Sequence, residues 1–167
     1  FPIKPINNLK AFLASQNASS FIECENSSWI LAGMRDDRYK YHHFLNFRKN
    51  PQLFRFTYKI QRKLGLKRSL PSDINEMKFG SQWWCLHHDT VKKIFEYLKN
   101  NTGYKNFFKT VWIPDECFFQ TLIWSLTPEK IISQSLTYSE FDANGKPIIY
   151  NSIVNMEPLL PENKFFI

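Results

Sequence analysis

From Phe79 to Ser125 the apolar residues change their period, and this stretch constrains the fold more than any other. Phe79–Leu86 (FGSQWWCL) is aromatic and apolar and reads as a buried strand. From about Asp89 the spacing becomes helical, with Val91, Ile94, Phe95 and Leu98 at i, i+3, i+4 and i+7. Asp89 suits a helix cap, and Gly103 stands where that helix would stop. A second helix opens at Pro114, a residue suited to a first turn, with Asp115 and Glu116 beside it. Phe118, Phe119, Leu122 and Ile123 form its apolar side.

Glu116 therefore stands at the mouth of a helix whose other side is anchored in a core, a good way to hold a carboxylate in place. A plainer reading stands beside it, because acidic residues in a first turn offset the helix dipole. Asp115 and Glu116 are neighbours whose side chains diverge by about a quarter turn. They are not a glycosidase pair, which needs two carboxyls from separate elements.

The 167 residues suffice for one domain with a core. A hydrophobic share of 43% and an aromatic share of 17% exclude a disordered chain. No run of about 18 apolar residues offers a membrane span. No signal peptide is visible, and a start at Phe1 with an apolar end at Phe165-Phe166-Ile167 suggests a piece of a longer protein. A net charge of +7 favours a polyanionic partner: a nucleotide diphosphate, a membrane surface or nucleic acid. Cys24, Cys85 and Cys117 stand far apart in apolar runs and read as core residues of a protein from a reducing compartment. Neither they nor the adjacent pairs His42-His43 and His87-His88 have metal-ligand spacing, and the histidines read as surface or packing residues. With 5 glycines there is no GxGxxG or Walker motif.

The remaining elements follow from the same signals. Phe1–Pro5 is extended. A helix over Ile6–Ser15 is expected to bury Ile6, Leu9, Phe12 and Leu13. Ser20–Cys24 reads as a short strand and Glu25–Ser28 as a polar loop. Glu23 in that strand either faces out at an edge or lines a cleft, since open α/β sheets bind ligands at strand ends. Lys130–Phe141 reads as a strand, Asp142-Ala143-Asn144-Gly145 as a turn, and Lys146–Tyr150 as the returning strand. A loop with Pro158 and Pro161 follows.

Arg35–Arg68 is a basic belt interleaved with aromatics, opposed only by Asp36 and Asp37. Leu53, Phe56, Ile60 and Leu64 fit a helix buried on one side, with Gly65 as its stop and the charges solvating the other face. A groove for single-stranded nucleic acid and attraction to an anionic membrane are the other readings of this belt.

Four motifs occur in one order: Phe1-Pro2-Ile3-Lys4-Pro5, Phe21-Ile22-Glu23-Cys24, Gly80-Ser81-Gln82-Trp83-Trp84 and Pro114-Asp115-Glu116. Together they resemble the core-2/I-branching β-1,6-N-acetylglucosaminyltransferase family, which includes peptide O-xylosyltransferases, and its bacterial members in particular. The resemblance covers nearly the whole chain. It implies an α/β chain forming part of a GT-A-like glycosyltransferase fold, a mixed sheet flanked by helices. It also implies an inverting enzyme that uses no metal ion and no cofactor and transfers a sugar, N-acetylglucosamine, from a UDP-sugar to a hydroxyl of a glycan acceptor. Glu116 aligns with the general base of the family, which takes the acceptor proton. Glu23 matches a carboxylate that binds acceptor hydroxyls. Arg35 and Arg38, in the run Arg35-Asp36-Asp37-Arg38, match cations that contact the acceptor or its neighbouring loop. Of Trp83 and Trp84, which alternate in direction on a strand, one would meet a sugar face while the other packs.

The resemblance also carries departures. Metal-free transfer leaves the departing diphosphate in need of fixed positive charge. The family's arginine for this falls near Ile148, so Lys146 is the expected substitute, and the family's lysine would lie just beyond Ile167. The nucleotide-binding half would precede Phe1. Residues 1–167 are thus expected to be one domain, the acceptor-and-base part of a larger one, inactive in isolation. A cytoplasmic enzyme, peripheral at the inner membrane, is the expected setting, with the Golgi lumen as the alternative. No nucleic-acid partner is expected on this reading; a non-catalytic basic module for nucleic acid or anionic membrane is the competing one.

Overall fold

The structure, a computed structural model, describes residues 2–17, 19–31, 33–142, 148 and 161–167. Its elements run α1 (Ile6–Ala14), β1 (Ser20–Phe21), α2 (Asp37–Lys40), α3 (Pro51–Lys63), α4 (His88–Asn100), α5 (Thr102–Phe108), α6 (Phe118–Leu126) and β2 (Ile131–Ile132). Short 3-10 turns stand at Ser27–Trp29, Pro114–Glu116 and Pro128–Lys130.

The α/β class holds, with a sheet smaller than the sequence suggests. β1 pairs in parallel with β2, Ser20 against Ile131 and Phe21 against Ile132. On its other side the chain beyond β1 meets the Phe79–Cys85 segment antiparallel, at Phe21–Cys85 and Glu25–Phe79. The expected strands Ser20–Cys24 and Lys130–Phe141 are thus regular over two residues each. The expected strand Phe79–Leu86 is two anchor points with a bulge between them. Five residues, 80–84, stand opposite three, 22–24, and such an excess bends a strand and breaks its ladder.

Alternation along β1 separates two cores. Phe21 joins Leu136 and Phe165 under α1, where Phe12 packs on both rings at 5.4 and 5.1 Å. Ile22 and Cys24 join the larger core with Phe79, Ile94, Tyr104, Phe108, Cys117, Leu122 and Ile123. The sheet is therefore flanked by α1 on one face and by α4 and α6 on the other.

Several boundaries differ from expectation. In α1, Ile6 is exposed rather than buried. His87, not Asp89, caps α4, accepting from Asp89 N–H at 3.3 Å through Nδ1. The buried residues of α4 are Thr90 and Ile94, and Phe95 lies off that face in solvent. Gly103 does not stop α4. That helix ends at Asn100, and Gly103 lies inside α5. The helix begun at Pro114 is interrupted at Cys117 (φ −149°) and resumes at Phe118.

Gly65 does end α3, at φ +67°, the left-handed position a helix stop requires. Which side of α3 is buried is the main correction. Phe54 is its buried residue, while Leu53, Phe56, Ile60 and Leu64 face solvent. The turn at 142–145 beyond Asp142, and Lys146–Tyr150 apart from Ile148, lie outside the described residues.

Candidate active site

The Pro114–Glu116 turn leaves the core through a backbone conformation that a β-branched residue rarely takes. Ile113 has φ +54° and ψ +63°, where its Cβ crowds the following carbonyl. This bend aims the turn at the bulge of residues 80–84. Gly80 N–H donates to the Glu116 carbonyl at 3.0 Å, and Gln120, fully buried in α6, donates through Nε2 to the carbonyls of Gly80 (3.1 Å) and Ser81 (2.9 Å). Gly80 is required here, because a Cβ would lie 2.3 Å from the Glu23 carbonyl oxygen.

The next amide along, Ser81 N–H, donates to Glu23 Oε2 at 2.8 Å. Glu23 and Glu116 are thus tied to adjacent residues of one loop, Glu23 by its carboxylate and Glu116 by its carbonyl. The bulge that shortens the strand is what brings them together.

Arg38 completes the arrangement from α2. It is nearly buried, its guanidinium lies over the Trp112 ring at 5.3 Å, and its Nε donates to the Met34 carbonyl at 2.7 Å. Its Nη1 donates to Glu116 Oε2 at 2.5 Å, and the Glu116 side chain stays 29% exposed. Among the described residues Glu116 Oε1 has no hydrogen-bond partner. One oxygen is pinned by a buried cation and the other is left to accept a proton, an arrangement suited to a positioned base.

The other predicted site residues are placed as follows. Trp84 packs on Phe119, rings 5.2 Å apart, and helps line a cavity of about 490 Å³ with Gln82, Pro114, Asp115 and Phe118. Trp83 is more exposed, and with Trp84, Leu136 and Phe166 it lines a second cavity of about 340 Å³. Two aromatic hollows thus flank the loop of residues 80–84 to which Glu23 and Glu116 are tied. Arg35 is exposed and is not drawn into the Arg38–Glu116 contact. Asp36 pairs instead with Lys40 at 2.7 Å. Burial would raise its carboxyl, but hydrogen bonds from Lys40 and Ser27 outweigh this and hold it below the ordinary carboxylate range. Asp37 accepts from the Tyr58 hydroxyl of α3. Lys146 lies outside the described residues.

Two participants escape a reading of the sequence. Gln120 sits inside an apolar helix, and only its burial reveals that it ties down the bulge. Lys164 donates through Nζ to the Ser135 carbonyl, and its ammonium is lowered by burial while the nearby Glu23 charge works against that shift. Ser135 in turn donates to the Trp83 carbonyl at 2.9 Å. Among the described residues no three His, Cys, Asp or Glu side chains gather closely enough to hold a metal ion. No described helix is long and apolar enough to cross a membrane.

Comparison with known proteins gives one family. The model of the Core-2/I-Branching enzyme family matches residues 1–159. No curated protein matches the chain.

Proposed function

The chain belongs to the Core-2/I-Branching enzyme family, a family of glycosyltransferases, and from that premise we propose that it carries the acceptor site and catalytic base of an inverting, metal-independent transferase with a GT-A-like fold. The donor is a UDP-sugar, with N-acetylglucosamine as the sugar, and the acceptor is a hydroxyl of a glycan. The cytoplasm is the setting of this proposal, and the three free thiols are what support it.

Glu116 Oε1 takes the proton of the acceptor hydroxyl as that oxygen attacks the anomeric carbon. A new C–O glycosidic bond forms on one face while the bond to the diphosphate breaks on the other. The electron pair of that bond leaves with UDP, so the configuration inverts. Arg38 holds Glu116 and stays out of the bond changes. Glu23 accepts hydrogen bonds from acceptor hydroxyls while its other contact, Ser81 N–H, fixes its direction. The Trp83 face suits the apolar face of a pyranose ring. Lys146 is assigned to the departing diphosphate, where fixed charge replaces the role of a metal.

The observation that carries this reading is the Arg38–Glu116 contact, one base oxygen pinned and one left open, with Glu116 and Glu23 fastened to adjacent residues of the 80–84 loop. The test is transfer from a UDP-sugar by the complete gene product in excess EDTA, with the product anomer read by NMR. Full activity with inverted configuration is expected. Loss of activity in EDTA, restored by a divalent ion, or a retained configuration would overturn the mechanism.

A further inference from the structure

The outward face of α3 carries large apolar side chains that the described residues leave largely open to solvent. Leu53, Phe56, Ile60 and Leu64 recur at steps of three and four along one line of the helix. Leu66 extends the line beyond Gly65. Their exposures are 49, 59, 40, 63 and 54%. The helix cannot roll to bury them, because its other side is fastened. Phe54 stacks on His43 at 5.1 Å and packs on Trp112 at 6.0 Å. Gln61 exchanges two hydrogen bonds of 2.9 Å with the His42 backbone.

Charge surrounds this line. Residues 38–72 hold ten Lys and Arg and no Asp or Glu, against a net +7 for the chain, so the remainder is net acidic. Lys59 and Lys63 lie beside Phe56 on the α3 wheel, and Lys49 and Lys67 stand just past its two ends. Among the described residues Arg55 and Arg62 hold nearby rings, Phe47 and Tyr58.

The two features together identify what fits. A second copy would set one net-basic field against another across a two-fold axis, with Asp37 beside Tyr58 and Arg62 as the acid at this face. Nucleic acid would answer the cations and leave the apolar line wet. An anionic bilayer answers both, with acyl chains for the apolar line and phosphates for the lysines. We propose that α3 docks this protein in the interface of an anionic lipid bilayer, with Leu53, Phe56, Ile60, Leu64 and Leu66 inserted and Lys49, Lys59, Lys63 and Lys67 at the headgroups. This goes beyond the transfer chemistry and stands without it, since Glu116 and Glu23 lie on other elements.

The test is flotation of the complete gene product with vesicles of phosphatidylcholine, and with vesicles in which about a third of the lipid is phosphatidylglycerol. Binding to the anionic vesicles is expected to be at least about tenfold tighter and to weaken with salt. The variants Phe56→Gln/Ile60→Gln/Leu64→Gln and Lys59→Glu/Lys63→Glu change exposed residues and should melt like the parent. Each should cut vesicle binding by about tenfold or more. Absence of vesicle binding, or binding unchanged in both variants, overturns the proposal. So does a dimer that dissociates in the apolar variant, or an oligonucleotide bound more tightly than the anionic vesicles. Transfer assays on the same variants separate this result from the proposed function.

Discussion

Arg38 reaches Glu116 across the sequence from α2, and its guanidinium is committed on three sides: Nη1 to the carboxylate, Nε to the Met34 carbonyl and its face to Trp112. Each contact restricts the position of the others, so the carboxylate inherits the rigidity of the buried Arg38 and the half-buried Trp112. Removing Glu116 strands Arg38 in a desolvated place, whereas removing Arg38 leaves Glu116 still partly open to water. Arg38→Met should lower the unfolding free energy by about 1–2 kcal/mol, less than for a fully buried pair because Glu116 keeps access to water, and reduce transfer, with Arg38→Lys between it and the parent. Urea denaturation measures the first effect and transfer kinetics the second. A wild-type denaturation curve for Arg38→Met would mean that the pair holds nothing in place.

Gly80 supplies a second test, because its backbone touches that of Glu23. Gly80→Ala places a methyl 2.3 Å from the Glu23 carbonyl oxygen and 2.7 Å from its Cβ. The strands must part, at a cost of about 1–3 kcal/mol, and Ser81 N–H loses its alignment with Glu23. A fall in the urea midpoint with a raised KM for acceptor is expected. An unchanged midpoint would show that the loop has slack the geometry does not suggest.

The Ile113 bend should trade differently. Ile113→Gly removes a left-handed β-branched residue, relieving about 1–2 kcal/mol, and adds unfolded-state freedom of about 1 kcal/mol. The melting temperature should therefore move little. The rate of transfer should fall, because a glycine no longer restricts the direction of the Glu116 turn. Equal rates in the two proteins would remove the bend from the account.

How much of this was readable beforehand divides by sequence distance. The helices α1, α3, α4 and α6 announce themselves because apolar period and turn residues are local signals, and Gly65 is read correctly for the same reason. Periodicity does not say which of two sides of α3 faces inward. Phe54 with Tyr58 and Leu53 with Phe56, Ile60 and Leu64 both make apolar lines, and Trp112, far along the chain, decides between them. Strand lengths fail because the bulge at 80–84 depends on Gln120 and Glu23 drawing on its backbone. The motifs singled out Glu116, Glu23 and Arg38 one by one. Their convergence, above all the Arg38–Glu116 ion pair, rests on contacts between residues 78 apart, which no local pattern encodes.

The histidines predict an acid limb of stability. His43 is buried against Phe54, with Nε2 donating to the Asp37 carbonyl at 2.9 Å. Burial lowers its pKa below the ordinary 6.5, the bond to Asp37 only partly opposing this, and His42 is lowered by burial and by Arg68. In the unfolded chain both take a proton near 6.5, whereas in the folded protein they resist it. Stability is therefore full above about pH 6.5 and declines as pH falls toward the depressed folded values. The urea midpoint should be flat from about pH 7 to 8 and fall below 6.5, with a shallower fall in His43→Gln. An identical slope in that variant would remove His43 as a source.

The thiols give a chemical reading of the core. Burial pushes Cys24 and Cys117 up to about 12 and raises Cys85 as well. A thiol reagent at mild alkaline pH should find at most one accessible group, Cys85, which is only partly buried, and all three after denaturation in urea. Rapid modification of Cys117 in the folded protein would mean that the Pro114–Glu116 turn opens far more often than its packing implies.

Glu116→Gln in the complete gene product is the sharpest check on Glu116 as the base, because it keeps the shape of the side chain and removes its ability to take a proton, while a urea curve on the same variant reads the lost charge opposite Arg38. In this variant kcat should fall by about a thousandfold with KM for the UDP-sugar held within about twofold. A variant that transfers sugar at a rate close to that of the parent would contradict it.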